Sequence, residues 1–582
     1  MERSDNIIKG IAAAPGITIA NAYLFFKDEE IIYDTCVTDI EEAKKALDEA
    51  LNKSKRELRK VLALAIDKMG KSRAAIFEAQ IMVLDDPILL NTLYKRIEDE
   101  KKIPEYIVNT EFSKYLKLMN ESKEIYMLER ANDIEDIKNR IIRNIKKKKW
   151  LSKISEDVIV VSKNLTPADT VLFSRADVKG YVTEFGGLTS HAAIVARSLH
   201  IPAVVGLHEA TKKIHDGDQI IVDGFKGIII INPDPEQIRV YTNKIKKLYE
   251  IDSELLKLRS EPAITKDGKK IQILGNLDLN EELEIIIQNG AEGLGLIRTE
   301  QMFTNVEDFP NEEEQCILYS DLAERVYPNQ IIIRTFDIGG DKVLPTDVKE
   351  NNPFLGWRGI RIMLDNVEIF KTQLRAILRA SVHKNIKIMI PMITSLIEVK
   401  KSRTVIDECK IELQNKNLPF DNNIQIGVMI EVPSAAVIMK DICNEVDFVS
   451  IGTNDLIQYL LAVDRGNDII SDLYQEFHPA VIRTLKQIIS EGKKNKIPVG
   501  LCGEMAADTL AIPLLIGLGL EQLSVSGVVI PNVKSIIRNL NYKQAKKLAE
   551  QCIELKTENE IKNKVKEFYH KNIIDDYENF TQ

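Results

Sequence analysis

From Pro262 onward, short β-rich runs alternate with helix-length stretches, and the alternation repeats eight times. The runs are 271–275, 293–297, 331–336, 387–391, 424–430, 448–451, 498–501 and 522–525. Regular alternation of this kind predicts a parallel sheet, because parallel neighbours can be joined only through a long crossover. Eight such units in roughly 310 residues fit a (β/α)8 barrel, whose usual size is about 250 residues with room for insertions. A doubly wound open sheet is the alternative, but it does not need eight regular units.

A barrel predicts where chemistry should sit, since barrel active sites form where strands end at the C-terminal face. Asn276 ends the first run, Arg298 the second, Arg334 the third, Glu431 the fifth, Asn454 and Asp455 the sixth, and Cys502 the seventh. Any strand end is polar where the chain exits into a loop, so one such residue would carry little weight. Two arginines, two carboxylates, amides and a cysteine on one rim are more than solvation requires. Arg298 and Arg334, joined by Arg358 and Arg465 from loops, offer bidentate binding to phosphate or carboxylate. Glu431 and Asp455 can hold Mg²⁺, which takes one or two carboxylates and leaves other positions to substrate oxygens. The expected substrate is therefore small and anionic, with both phosphate and carboxylate. A lone cysteine is usually an apolar filler, but Cys502 on a charged rim reads better as a proton-transfer group.

Upstream, residues 11–26 mix small residues with β-formers and read as a short strand unit. From about residue 39 to 150 apolar residues recur at helical spacing, among them Ala43, Leu47, Leu51, Leu58, Val61 and Ala65; helix-plus-turn lengths give about four helices. Strand signals return at 158–161, 181–183, 219–222 and 227–231. The pattern predicts an α/β domain (1–37 and 151–232) interrupted by a helical bundle (38–150). A charged helical linker (233–261) and the barrel (262–575) follow.

Within the returning strands lies Gly186-Gly187-Leu188-Thr189-Ser190-His191. Two glycines permit a sharp turn, Thr189 or Ser190 can cap a helix, and His191 would occupy its first turn. Helix starts favour anions, phosphate above all, so a histidine there can accept a phosphoryl group on a ring nitrogen. Taken locally, a histidine packed under a glycine turn is the commoner reading. A rim suited to a phosphate donor, distant in sequence, shifts the balance toward phosphoryl transfer.

Composition narrows the field. The chain has 582 residues, 44% apolar and 29% charged, with a net charge of -9, which argues against a general nucleic-acid or anionic-membrane binder. Its first residues, Met1-Glu2-Arg3-Ser4-Asp5, lack the apolar core of a signal peptide. Apolar runs such as Ile228–Ile231 are far shorter than the roughly 20 residues a membrane span takes. The six cysteines are scattered without paired or metal-type spacing, and a cytoplasmic location is expected.

Together these motifs resemble the Enzyme I family of bacterial phosphotransferase systems, the phosphoenolpyruvate–protein phosphotransferases. The resemblance is carried by Gly10-Ile11-Ala12-Ala13-Ala14-Pro15-Gly16, Glu129-Arg130-Ala131-Asn132-Asp133-Ile134, the His191 segment and Gly293-Leu294-Gly295-Leu296-Ile297-Arg298-Thr299-Glu300. It continues through Asp337-Ile338-Gly339-Gly340-Asp341-Lys342, Asn352-Pro353-Phe354-Leu355-Gly356-Trp357-Arg358, Ile451-Gly452-Thr453-Asn454-Asp455-Leu456, Val463-Asp464-Arg465-Gly466-Asn467 and the Cys502 segment. The resemblance implies that His191 is phosphorylated, that Arg298, Arg334, Asn454 and Arg465 bind phosphoenolpyruvate, and that Glu431 and Asp455 bind Mg²⁺. Arg358 and Asp455 are expected to contact the substrate too, and Cys502 to protonate the enolate. It further implies that the helical insert docks the phosphocarrier protein HPr, that the barrel forms a homodimer, and that the chain serves sugar uptake. Leu188 stands where many members have arginine and Ala192 where many have threonine, as in the related pyruvate phosphate dikinases. A dikinase or phosphoenolpyruvate synthase would need an ATP-binding domain of some 300 residues ahead of the histidine. The nitrogen-regulatory paralogue would carry a further N-terminal sensory domain; neither is expected here.

Overall fold

The computed structural model describes residues 6–25, 32–69, 71–120, 125–147, 157–173, 178–187, 190–199, 201–302, 309–339, 350–465, 467 and 469–573. The chain parts into two units between residues 250 and 251, within the helix Pro235–Lys257.

The first unit is built on an eight-stranded mixed sheet. Its strands are β1 (Ile7–Lys9), β2 (Ile11–Ala14), β3 (Ile17–Phe25), β4 (Val158–Ser162), β5 (Gly180–Thr183), β6 (Ala203–Val205), β7 (Gln219–Asp223) and β8 (Ile228–Ile231), in the order β1-β8-β7-β3-β4-β5-β6-β2. β3 and β4 are parallel neighbours, so a tight turn cannot join them and a long crossover must. Helices fill that crossover: α1 (Ile40–Met69), α2 (Lys71–Asp85), α3 (Pro87–Glu100), α4 (Pro104–Asn120) and α5 (Ile125–Ile145).

Among the described residues five helices stand here where periodicity suggested about four. The boundaries before α3 and α4 lie at Pro87 and Pro104, prolines that suit the first helical position and end whatever precedes them. Asp86 caps α3 by accepting from the Ile88 N–H at 2.8 Å, with Pro87 next to it. The bundle core is made by Leu47, Leu58, Phe77, Leu93, Phe112 and Ile141, all buried. Two shorter helices, α6 (Pro167–Phe173) and α7 (His191–Ser198), belong to the sheet domain, yet Ala168 and Val195 pack into the bundle core. β6 was not foreseen; three residues are too few to show a period.

The second unit contains a closed parallel barrel. Its strands are β9 (Gln272–Leu277), β10 (Gly293–Arg298), β11 (Gln330–Arg334), β12 (Ile386–Ile390), β13 (Gln425–Ile430), β14 (Phe448–Ile451), β15 (Val499–Leu501) and β16 (Gln522–Ser526), each paired in parallel with the next and β16 with β9. Alternation along each strand separates two cores. Ile331 and Ile333, Ile388 and Ile390, and Val428 and Ile430 face the surrounding helices. Between them, Ile332, Met389 and Met429 point inward and join Leu296, Phe448 and Cys502 in a separate cluster that fills the barrel. Among the described residues no helix is long and apolar enough to cross a membrane.

Candidate active site

The inward cluster forms an apolar floor, and a cavity of about 170 Å³ opens above it at the C-terminal ends of the strands. Arg298, Arg334, Arg358, Glu431, Asn454, Asp455, Arg465 and Cys502 all line it. The fold explains the convergence. Arg298 and Arg334 are the last residues of β10 and β11, while Glu431 and Cys502 directly follow β13 and β15. Asn454 and Asp455 sit in the first turn of the helix Thr453–Leu461 that leaves β14.

Carboxylates already engage three of the arginines. Arg298 Nη1 lies 2.7 and 2.8 Å from the two oxygens of Asp278. Arg334 bonds Glu300 and reaches Asp337 at 3.1 Å. Arg358 is bound by Asp337 and Asp455 together. Asp278, Glu300 and Asp337 had no role in the sequence reading. Glu300 and Asp337 lie just after the strand-end arginines Arg298 and Arg334, where a buried guanidinium needs a counter-charge, but Asp278 carries no such local signal, being 20 residues from the Arg298 it engages.

Glu431 is buried and accepts the Met392 N–H at 2.6 Å through Oε1. Burial first, then repulsion by Asp455 and Asp337, pushes its carboxyl up to about 8 against the pull of Arg334 and Arg358. Burial, together with the neighbouring Asp455 and Asp337, thus leaves an ionised Glu431 short of positive charge. A hard dication suits that deficit: Mg²⁺ needs only one or two carboxylates and completes its shell with water and substrate oxygens. A full protein cage is not required, and among the described residues no three His, Cys, Asp or Glu are grouped to enclose an ion.

Cys502 is buried, with Sγ 3.6 Å from the Ile451 carbonyl. Burial chiefly pushes its thiol up, so the group keeps its proton. Asn454 is fixed by a reciprocal pair: its Nδ2 donates to Glu504 Oε1 at 3.1 Å and its Oδ1 accepts the Glu504 N–H at 2.8 Å.

His191 lies in the other unit, at the first position of α7. Ser190 caps this helix, its side chain accepting from the Ala193 N–H at 3.4 Å, and Gly186 turns the chain beforehand at φ +117°. Leu188 and Thr189 lie outside the described residues. Arg197, near the far end of α7, donates to the Ala13 carbonyl at 2.8 Å and ties the helix to β2.

Comparison with known proteins agrees over nearly the whole chain. Residues 252–542 match the PEP-binding domain of PEP-utilising enzymes, residues 154–227 their mobile domain and residues 9–130 their N-terminal domain. A phosphoenolpyruvate-protein phosphotransferase of Haemophilus influenzae is 42% identical over 575 residues, 98% of this chain and 100% of its own length. One of Staphylococcus carnosus is 40% identical over 565 residues, 96% of this chain and 99% of its own. A solution structure of Enzyme I (nEIt) is 38% identical, covers 42% of this chain and 99% of that one, and superposes with a TM-score of 0.38. With identity sustained over both units, the chain belongs to the phosphoenolpyruvate-protein phosphotransferase family.

Proposed function

We propose that this enzyme transfers the phosphoryl group of phosphoenolpyruvate to His191 and then to HPr, the first step of a phosphotransferase system. The observation that carries the reading is the one cavity lined together by Arg298, Arg334, Arg358, Glu431, Asn454, Asp455, Arg465 and Cys502; of the rim residues singled out in the sequence, Asn276 does not line it and donates instead to the Cys502 carbonyl at 3.1 Å. Among the described residues, Arg298 uses only Nη1, and Arg334 Nε has no partner. The remaining Arg298 donors, the cavity-lining Arg334 and the exposed Arg465 are suited to the phosphate and carboxylate of the substrate. Asn454, held by Glu504, offers a preset amide beside them. Glu431 and Asp455 would hold Mg²⁺, which supplies a Lewis acid for the phosphoryl oxygens and the developing enolate.

The neutral imidazole of His191 attacks phosphorus in line, so the N–P bond forms as the bridging C–O–P oxygen leaves with its electron pair. The guanidinium groups offset the charge moving onto that oxygen. Cys502 then gives its proton to the methylene carbon of the enolate, yielding pyruvate, and the thiolate is reprotonated from solvent. His191 and the cavity belong to different units, so we assign the linker 233–261 as the hinge that lets the α/β domain alternate between donor and acceptor. The insert 38–150 would dock HPr, the barrel 262–575 would form the homodimer, and the protein would act in the cytoplasm in sugar uptake.

Incubation with labelled phosphoenolpyruvate and Mg²⁺ tests the reading. Acid-labile label should appear on the wild type, be absent from His191→Ala, and pass to HPr; no label on the wild type would overturn it.

A further inference from the structure

We propose that Arg358 is a positioning residue for Asp455 and not a ligand of the substrate. The inference rests on the reading of Glu431 and Asp455 as the metal-holding pair, and donor arithmetic carries it. A guanidinium has five N–H groups, and Arg358 has committed all of them. Nε donates to Asp337 Oδ1 at 3.1 Å, Nη1 to Asp455 Oδ1 at 2.9 Å and to the Tyr459 hydroxyl at 3.1 Å, and Nη2 to Asp337 Oδ2 and Asp455 Oδ2, each at 3.1 Å. Nothing is left for a phosphate or carboxylate. Arg298 differs in this respect, since it lines the cavity and, among the described residues, engages Asp278 through Nη1 alone.

The surroundings hold Arg358 in this role. Asp337 is 0% and Arg358 2% exposed, so neither can swing out to solvent without breaking a buried ion pair. The Tyr459 hydroxyl donates to the Phe354 carbonyl, which turns its oxygen lone pairs toward Arg358. Two backbones meet closely to allow this. Gly339 has φ +96°, and a Cβ there would lie 2.4 Å from the Trp357 carbonyl oxygen; the Gly359 N–H donates to the Ile338 carbonyl at 2.9 Å. The loop bearing Arg358 is thereby fastened to the segment bearing Asp337. Arg358 in turn takes one acceptor site on each Asp455 oxygen, which fixes the carboxylate plane and leaves a lone pair on each oxygen for an ion. Partners one shell out from a metal typically govern its affinity by 10- to 100-fold.

The experiment separates metal affinity from substrate affinity in the full-length protein without turnover. Mn²⁺ binding is titrated by the loss of the free-ion EPR signal, and metal-free phosphoenolpyruvate binding is followed by equilibrium dialysis in EDTA. Arg358→Lys should weaken Mn²⁺ binding by ~10- to 100-fold while changing metal-free phosphoenolpyruvate affinity by less than about 3-fold, because lysine cannot grip two carboxylates in a plane. Tyr459→Phe, a milder change that spares the charges, should shift Mn²⁺ in the same direction by about 3-fold and decides the matter if the lysine variant does not fold. Unchanged Mn²⁺ binding, or a loss of phosphoenolpyruvate affinity as large as the loss of Mn²⁺, would overturn the proposal. Asp455→Asn distinguishes the underlying reading: if it binds Mn²⁺ as the wild type does, the metal assignment itself fails, whatever Arg358 does.

Discussion

The two ends of the barrel use the same residue types to opposite effect. At the N-terminal end, where β9, β15 and β16 begin, a cavity of about 430 Å³ is lined by Lys270, Glu292, Lys493 and Glu521 among others. Its charges form simple pairs near water: Lys270 meets Glu292 at 2.8 Å and Lys269 meets Glu521, with side chains 26% to 62% exposed. At the C-terminal end the corresponding groups are buried and shared, one aspartate serving two arginines and one arginine two aspartates. Exposed pairs contribute up to about 1 kcal/mol, whereas breaking a buried one leaves an uncompensated charge and costs about 3–5 kcal/mol. Charge at the lower end is solvated surface; at the upper end it is held out of water for a purpose other than stability.

Substitutions can break or sharpen that contrast. The largest effect is expected at Cys502→Ala, which should lower turnover by ~10²- to 10⁴-fold with phosphoenolpyruvate still bound. Steady-state kinetics and a binding titration check it, and unchanged turnover would remove Cys502 as proton donor. Next, the same neutralising change made at both ends should differ sharply. Arg358→Met should lose about 3–5 kcal/mol in urea unfolding, followed at the barrel transition, and Lys270→Met less than about 1 kcal/mol. Equal losses would erase the distinction between the ends.

A third test uses pH. Glu476 and Asp508, from two loops of the upper end, interact as neighbouring carboxyls, with Glu504 adding repulsion and Lys562 opposing it. Burial, then Asp508, pushes Glu476 from 4.5 up to about 7. Between those values the folded chain binds more protons than the unfolded chain, so stability falls as pH rises, at up to about 1.4 kcal/mol per pH unit. Glu476→Gln removes that penalty. Its melting temperature should match the wild type near pH 5 and exceed it at pH 8 by about 2–4 °C for each kcal/mol regained; an equal shift at both pH values would refute the assignment. The smallest effect is expected at the lower end, where Glu521→Gln should move the melting temperature by no more than about 2 °C at either pH.

The barrel was legible because its strands obey a simple rule. Apolar runs of the right length, separated by helix-length sequence, located β14 to the residue and the other strands within two residues at either end. The rim was legible for the same reason: once a strand end is known, Arg298, Arg334, Glu431 and Cys502 follow from position alone. What stayed hidden depends on pairing across long sequence distances. Nothing local announces that Asp337 will lie between Arg334 and Arg358, or that Tyr459 will turn its oxygen toward a loop about 100 residues earlier. The bundle's inner boundaries at Asp86, which caps α3, and at Pro104, the first residue of α4, escape an apolar period because backbone chemistry sets them.

The long excursion between β3 and β4 has a consequence for how such a chain is assembled. Adjacent parallel strands oblige the chain to travel back along the sheet, and about a dozen residues suffice for that journey. The helices α1 to α5 occupy a detour the sheet needed in any case, so an insert of another shape could replace them without altering a single strand pairing. Among the described residues, Ala168 and Val195, which reach into the bundle core, and Leu199, which packs against it, would have to be rewritten with it. The sheet domain is thus a socket, keyed to its insert through a few apolar side chains.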